Sequence, residues 1–255
     1  MAKRRVAVLE EQNKRQKTAM EGMAAEFVCP ISQELPVNPV LAEDGHVYEE
    51  AAITEWLSRN LTSPKTREPM GRRLLPALQV RNAIEQLVKS GSISGDKVAT
   101  WQTQLQHEKK MKELRAAAAE GSGPALFSLG LAFSQGHYGQ TVDKSKAFEW
   151  FKKAAEKEHI MGMAVTGEYL LLGRGIAPTA AEAWFFLGRA AQAGSDLACW
   201  KIATAYKNGK WGVGQDSAQA KVWLHKVCSR TCEHKHLKGE FVTKAQQMLQ
   251  ELNGS

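Results

Sequence analysis

The sequence has few cysteines and no long apolar stretch, and each shortage excludes a class of protein. Cys29, Cys199, Cys228 and Cys232 are the only thiols among 255 residues. They are too few and too scattered for a disulfide framework, so they read as reduced thiols of a cell interior. No apolar run approaches the roughly 20 residues that span a bilayer, so no membrane partner is expected. The opening residues also lack the apolar segment of a secretory signal, and the expected location is cytoplasmic. Excess charge is local. Lys3, Arg4, Arg5, Lys14, Arg15 and Lys17 against Glu10 and Glu11 put +4 of the formal +7 into the first 17 residues. Nucleic-acid binding by a domain needs a basic face that persists through folded elements, so no nucleic-acid partner is expected. The clusters Lys3-Arg4-Arg5 and Lys14-Arg15-Gln16-Lys17 leave nuclear import open, although a solvated, partly helical tail is the plainer reading.

Composition divides the remainder. Residues 1–25 are charged and lack a sustained apolar period, as expected of a tail or a lone helix. Residues 26–90 hold Pro30, Pro36, Pro39, Pro64, Pro69 and Pro76 among short apolar runs, which predicts a compact mixed domain. Residues 91–122 open on the glycine- and serine-rich stretch around Ser90 to Gly95, read as a flexible joint. A bridging helix follows, carrying Val98, Trp101, Leu105, Met111 and Leu114 at helical spacing.

From residue 123 the sequence repeats. Gly130, Gly167 and Ala203 occupy equivalent small positions, followed in register by Phe133, Leu170 and Tyr206 and by Gly136, Gly173 and Gly209. The second halves keep the register through Ala147, Ala183 and Ala220, through Trp150, Phe186 and Trp223, and through Ala154, Ala190 and Val227. Paired helices around glycine turns at such a period predict an all-α solenoid over 123–251. In this reading the small residues let paired helices approach, and Trp150, Phe186 and Trp223 fill the core beside them. Phe241, Ala245, Met248 and Leu249 predict a capping helix. The pattern resembles the Sel-like repeats, relatives of the tetratricopeptide repeat. Lys146-Ala147, Trp150-Phe151 and Ala154-Ala155 carry the likeness, while Ala203 and Val227-Cys228 depart from it.

Within 26–90 the residues predict a hairpin around Glu43-Asp44-Gly45, a helix bearing Ala52, Ile53, Trp56 and Leu57, a loop over Thr62 to Pro69, and a helix bearing Val80, Ile84, Leu87 and Val88. Glu49 and Glu50 suit the positive start of the first helix. The run Phe27-Val28-Cys29-Pro30-Ile31-Ser32-Gln33-Glu34, with Pro39-Val40, Asp44-Gly45-His46-Val47-Tyr48-Glu49, Trp56-Leu57, Ser63-Pro64-Lys65-Thr66 and Leu75-Pro76, resembles the U-box. That family has an α+β fold, the RING-finger outline without zinc.

A RING finger uses eight Cys or His ligands for two zinc ions. This segment has only Cys29 and His46, so neither metal nor cofactor is expected there. A domain this small must then pin its loops by buried hydrogen bonds, and Glu34, Asp44, His46, Tyr48 and Glu49 are the candidate network.

The resemblance implies a ubiquitin-protein ligase without a covalent ubiquitin intermediate. Its partners would be a ubiquitin-conjugating enzyme, ubiquitin, and a protein substrate or adaptor on the repeats, a chaperone among the options. Ile31, Gln33, Trp56 and Pro64 would line the conjugating-enzyme groove. Arg67 would position ubiquitin, because a guanidinium can bridge two acceptors. Many U-boxes carry Asn where this chain has Ala77, which removes a local cap. The alternative is therefore a non-enzymatic scaffold or adaptor with a degenerate U-box. No catalytic nucleophile set or phosphate-cradling loop is present. Cys228, Cys232, His234 and His236, flanked by Lys226, Arg230, Lys235 and Lys238, match no zinc signature, and a solvated loop is expected there.

Overall fold

The structure is a computed structural model. It describes residues 2–229 and 231–254, and of residues 2–10, 13, 17, 21 and 254 the backbone alone. The side chains of Lys3, Arg4, Arg5 and Lys17, and the whole of Arg230, thus lie outside the described residues.

Gly45 takes the left-handed turn position with φ 76°, where a side chain would be strained. The turn joins β1 (Pro39–Ala42) to β2 (Val47–Glu49), with Val40 opposite Tyr48. A third strand, β3 (Leu74–Pro76), pairs antiparallel with the other edge of β1. Three residues ending in proline carry too little alternation to signal a strand from sequence, and the pairing with β1 makes it one. β2 leads into α2 (Glu50–Arg59), which buries Ile53 and Leu57, and β3 into α3 (Leu78–Lys89), which buries Ile84. Ala77 stands at the start of α3 without a side-chain cap, and its N–H donates to the Pro39 carbonyl at 2.8 Å.

Two clusters form the core here. Cys29, Val40, Ala42, Tyr48, Ile53, Leu57 and Met70 pack together, with Ile31, Trp56 and Leu74 against them. Leu35, Val37 and Ile84 pack with Ala24 of α1 (Ala2–Glu26), with Ile93, and with Val98 and Trp101 of α4 (Asp96–Ala119). The stretch read as a flexible joint is anchored in this second cluster. Ile93 is buried, and the Ser92 and Ile93 N–H groups both donate to the Leu87 carbonyl. Composition registered the glycines and serines there but not the single apolar side chain that docks.

This first compact unit ends at Glu108, and a second runs from Lys109 to Ser255. In the second, α5 (Gly123–Gln135) pairs with α6 (Lys144–Glu156), α7 (Ile160–Leu172) with α8 (Ala180–Gln192), and α9 (Asp196–Asn208) with α10 (Ser217–Cys228). α11 (Gly239–Gly254) packs on α10 and buries Ala245. Each first helix ends at a left-handed glycine, Gly136, Gly173 or Gly209.

The space beside the small residues is filled differently from the sequence reading. A Cβ on Gly130 would lie 2.5 Å from the Phe151 ring, and one on Gly167 would lie 2.6 Å from Leu187 Cγ. Phe151, Leu187 and Leu224 are almost fully buried, whereas Trp150 and Trp223 are half-buried at the core margin and Phe186 is buried. A repeat period identifies equivalent positions, but it does not say which of two adjacent helical residues faces the partner. Successive first helices also pack on one another, α5 on α7 and α7 on α9, as stacked repeats do.

Candidate functional site

Two loops of the first unit share one backbone design. In residues 29–34 the Cys29 N–H donates to the Glu34 carbonyl at 2.9 Å, and the Gln33 N–H donates back to the Cys29 carbonyl at 2.9 Å. In residues 63–68 the Ser63 N–H donates to the Glu68 carbonyl at 2.8 Å, and the Arg67 N–H to the Ser63 carbonyl at 3.0 Å. Gln33 at φ 59° and Arg67 at φ 66° hold the left-handed backbone that closes each hook, a conformation uncommon outside glycine. Ser32 and Thr66 hydroxyls each accept from the following glutamate N–H at 3.4 Å. The echo of Cys29-Pro30 … Gln33-Glu34 in Ser63-Pro64 … Arg67-Glu68 is the sequence signal for this shared design, and the pattern reading missed it.

The second hook is fastened by Asp44. Its Oδ2 accepts from the Ser63 hydroxyl at 2.5 Å and the Tyr48 hydroxyl at 2.7 Å, while Oδ1 accepts from the His46 N–H at 3.0 Å. Ser63 in turn accepts from the N–H groups of Lys65 and Thr66. Burial opposes ionisation of Asp44, but the hydrogen bonds from Ser63, Tyr48 and His46 outweigh it and hold the carboxyl below its ordinary value. Burial first, and then the bond to Asp44, push the Tyr48 phenol up, so it stays a donor. Trp56 Nε1 donates to the Thr62 carbonyl at 2.8 Å and ties α2 to the same hook.

Glu49 accepts at one oxygen from the Val37 and Asn38 N–H groups, at 2.7 and 3.1 Å, and makes no side-chain cap on α2. Glu43 accepts from the N–H groups of Gly71 and Arg73. Glu43 and Ser63 stood in the sequence reading only in the hairpin turn and the second-loop run, not in the network, because their partners lie far along the chain. Among the described residues Glu34 Oε2 is buried without a hydrogen-bond partner, and His46 Nδ1 lies 3.6 Å from Asp44 Oδ1, beyond hydrogen-bond reach.

Of the residues expected to line a groove, Ile31 and Trp56 pack partly exposed on one core cluster. Pro64 is half-buried, while Gln33 and Arg67 are exposed, and the Gln33 side-chain amide donates to the Pro30 carbonyl at 2.8 Å. Cys29 is fully buried, so the thiol of this segment is not presented as a covalent carrier.

Residues 231–238, between α10 and α11, are mostly exposed, as expected of a solvated loop, but they are anchored at two points. Asp196, buried at the start of α9, accepts from the N–H groups of His236 at 2.9 Å and Leu237 at 3.0 Å. Cys232 Sγ turns inward to Cys199 Sγ at 3.9 Å. Burial, then the neighbouring Cys232, push the Cys199 thiol up to about 12. Among the described residues no group of three or more His, Cys, Asp or Glu side chains could hold a metal ion. No helix among them is long and apolar enough to cross a membrane.

The family model described as U-box domain matches residues 23–93, and the Sel1 repeat model matches residues 123–159, 160–195 and 196–231. Human "WD repeat, SAM and U-box domain-containing protein 1" is 38% identical over 69 residues, 27% of this chain and 14% of its own length. "Putative E3 ubiquitin-protein ligase LIN-1" of Lotus japonicus is 46% identical over 52 residues, 20% of this chain and 4% of its own. The chain spans about a fifth or less of the length of the curated relatives it matches. A Sel1 repeat protein from Oxalobacter formigenes aligns with 55% of this chain and 96% of its own at 28% identity, with a TM-score of 0.44. The chain carries a U-box domain over residues 23–93, followed by three Sel1 repeats over residues 123–231.

Proposed function

We propose that this chain is a ubiquitin-protein ligase whose U-box binds a ubiquitin-charged conjugating enzyme and whose Sel1 repeats hold the protein to be modified or an adaptor for it. The reading is supported above all by the two hooks. Each is closed by its own backbone, and the second is pinned by Asp44, Tyr48 and Ser63 where a RING finger would use metal. Ile31, Gln33, Trp56 and Pro64 form the conjugating-enzyme groove. Arg67, exposed on its left-handed backbone, bridges ubiquitin and the enzyme. Transfer then proceeds by positioning: a lysine attacks the thioester carried by the conjugating enzyme and displaces that enzyme's cysteine thiol, and no group of this chain carries ubiquitin as a covalent intermediate.

The substrate or adaptor surface lies on the first helices of the repeats. Pro124, Met161 and Leu197 occupy equivalent, incompletely buried positions, and Glu168 pairs with Lys201 at 3.0 Å and Arg174 at 3.5 Å. A chaperone is one adaptor of this kind. The second reading, a scaffold with a worn U-box, is favoured by the uncapped start of α3 at Ala77. Autoubiquitination across a panel of conjugating enzymes, comparing wild type with Ile31→Ala and Arg67→Ala, separates the two. Activity with some enzymes, lost in Ile31→Ala, supports the ligase; silence with every enzyme supports the scaffold.

A further inference from the structure

The matched U-box ends at residue 93, yet the first hook and the chain leaving it are gripped by α4, which begins at Asp96. Lys97 Nζ donates to the Gln33 carbonyl. Trp101 Nε1 donates to the Pro36 carbonyl at 3.1 Å, and Trp101 is only 3% exposed. Glu108 pairs at 3.4 Å with Arg81, whose guanidinium also donates to Asn38 Oδ1 at 3.2 Å. Lys97, Trp101 and Glu108 fall at helical spacing on one face of α4, and they address residues 33, 36 and 38 in order. Between those grips Leu35 and Val37 are buried in the cluster that Val98, Trp101 and Ile93 share. The other side of this segment is held from within the U-box, by Glu49.

We infer that α4 is a working part of the ligase module: Lys97 and Trp101 are positioning residues that hold the hook bearing Ile31 and Gln33 in the geometry that receives the conjugating enzyme. Gln33 holds a left-handed backbone that non-glycine residues adopt at a cost. A hook so built needs outside contacts to keep one conformation, and Lys97 binds the carbonyl of that very residue. Trp101 fixes the exit of the hook two residues beyond Glu34, where the backbone enters the core.

This inference rests on the ligase reading, so the test is arranged to separate their failures. In the full-length chain, Lys97→Met removes the donor while keeping the stem, Lys97→Arg keeps a donor, and Trp101→Phe keeps an aromatic ring while losing the N–H. The readouts are the affinity for a conjugating enzyme of the panel, per folded molecule, and amide exchange over residues 29–38. Lys97→Met and Trp101→Phe should each weaken binding by about three- to tenfold and speed exchange in the hook. Lys97→Arg should stay within about twofold of wild type, a rescue that loss of bulk stability would not produce. Wild-type affinity in both Lys97→Met and Trp101→Phe, beside loss of binding in Ile31→Ala, would overturn the brace and leave the ligase standing. Absence of binding by the wild-type chain to every enzyme would overturn the ligase reading and the brace with it.

Discussion

Replacing Asp44 by alanine should come close to unfolding the U-box. Its carboxylate, 6% exposed, accepts from the Ser63 and Tyr48 hydroxyls and from the His46 N–H. Ser63 and Tyr48 are themselves 1% and 0% exposed, so water cannot replace the lost acceptor without opening the second hook. Each orphaned buried hydroxyl costs about 1–3 kcal/mol, and the pair together with the His46 N–H amounts to roughly 3–5 kcal/mol. Against a domain stability of roughly 5–15 kcal/mol, that is a large share. Asp44→Asn keeps one oxygen for both hydroxyls but sets its amide against the His46 N–H, so a smaller loss of roughly 1–2 kcal/mol is expected.

The pH dependence of the same group gives a second handle. A carboxyl whose folded value lies below its ordinary 3.8 adds stability that is fully present above that pH and fades as pH falls through the folded value. Asp44→Asn should flatten this acid limb. Guanidinium unfolding of the three proteins, at neutral pH and at about pH 3, measures both effects. A loss below about 1 kcal/mol in Asp44→Ala would refute the claim that this carboxylate stands in for metal. So would a melting temperature that drops on adding a chelator to wild type.

Two further outcomes follow from the second unit. Gly130→Ala and Gly167→Ala should each cost about 1–3 kcal/mol, because the added methyl meets Phe151 or Leu187. Gly188→Ala, whose methyl would find nothing within 4 Å, should be neutral or gain up to about 1 kcal/mol; equal effects in denaturant melts would remove the close-approach argument. Asp196→Ala should lower amide-exchange protection at His236 and Leu237 by about 100-fold while leaving α5 to α8 unchanged. Unchanged protection would mean that the segment is held by something other than this carboxylate.

The parts of the fold legible from sequence are those whose cause is local. Gly45 after Asp44 marks a turn, Gly136, Gly173 and Gly209 mark helix ends, and a repeated small residue marks a helix pair. Function-bearing geometry was less legible where its cause lies far along the chain. Ser63 meets Asp44 and Gly71 meets Glu43 only after folding, and β3 is a strand only because β1 lies beside it. Ile93 and Asp196 show the same limit from the other side. One apolar residue in a glycine-rich joint and one carboxylate at a helix start anchor segments whose composition reads as free. Trp150 illustrates a third case, in which the period was right and the facing residue was its neighbour, Phe151.

The central claim is that the groove around Ile31 activates a charged conjugating enzyme without a covalent ubiquitin intermediate on this chain. Single-turnover discharge of ubiquitin from such an enzyme to free lysine tests it directly, because neither a substrate nor the repeats are needed. The account predicts at least about tenfold acceleration by the wild-type chain with some enzyme of the panel, lost in Ile31→Ala and reduced in Arg67→Ala. Discharge that is no faster with the chain than without it, across the whole panel, would contradict the account.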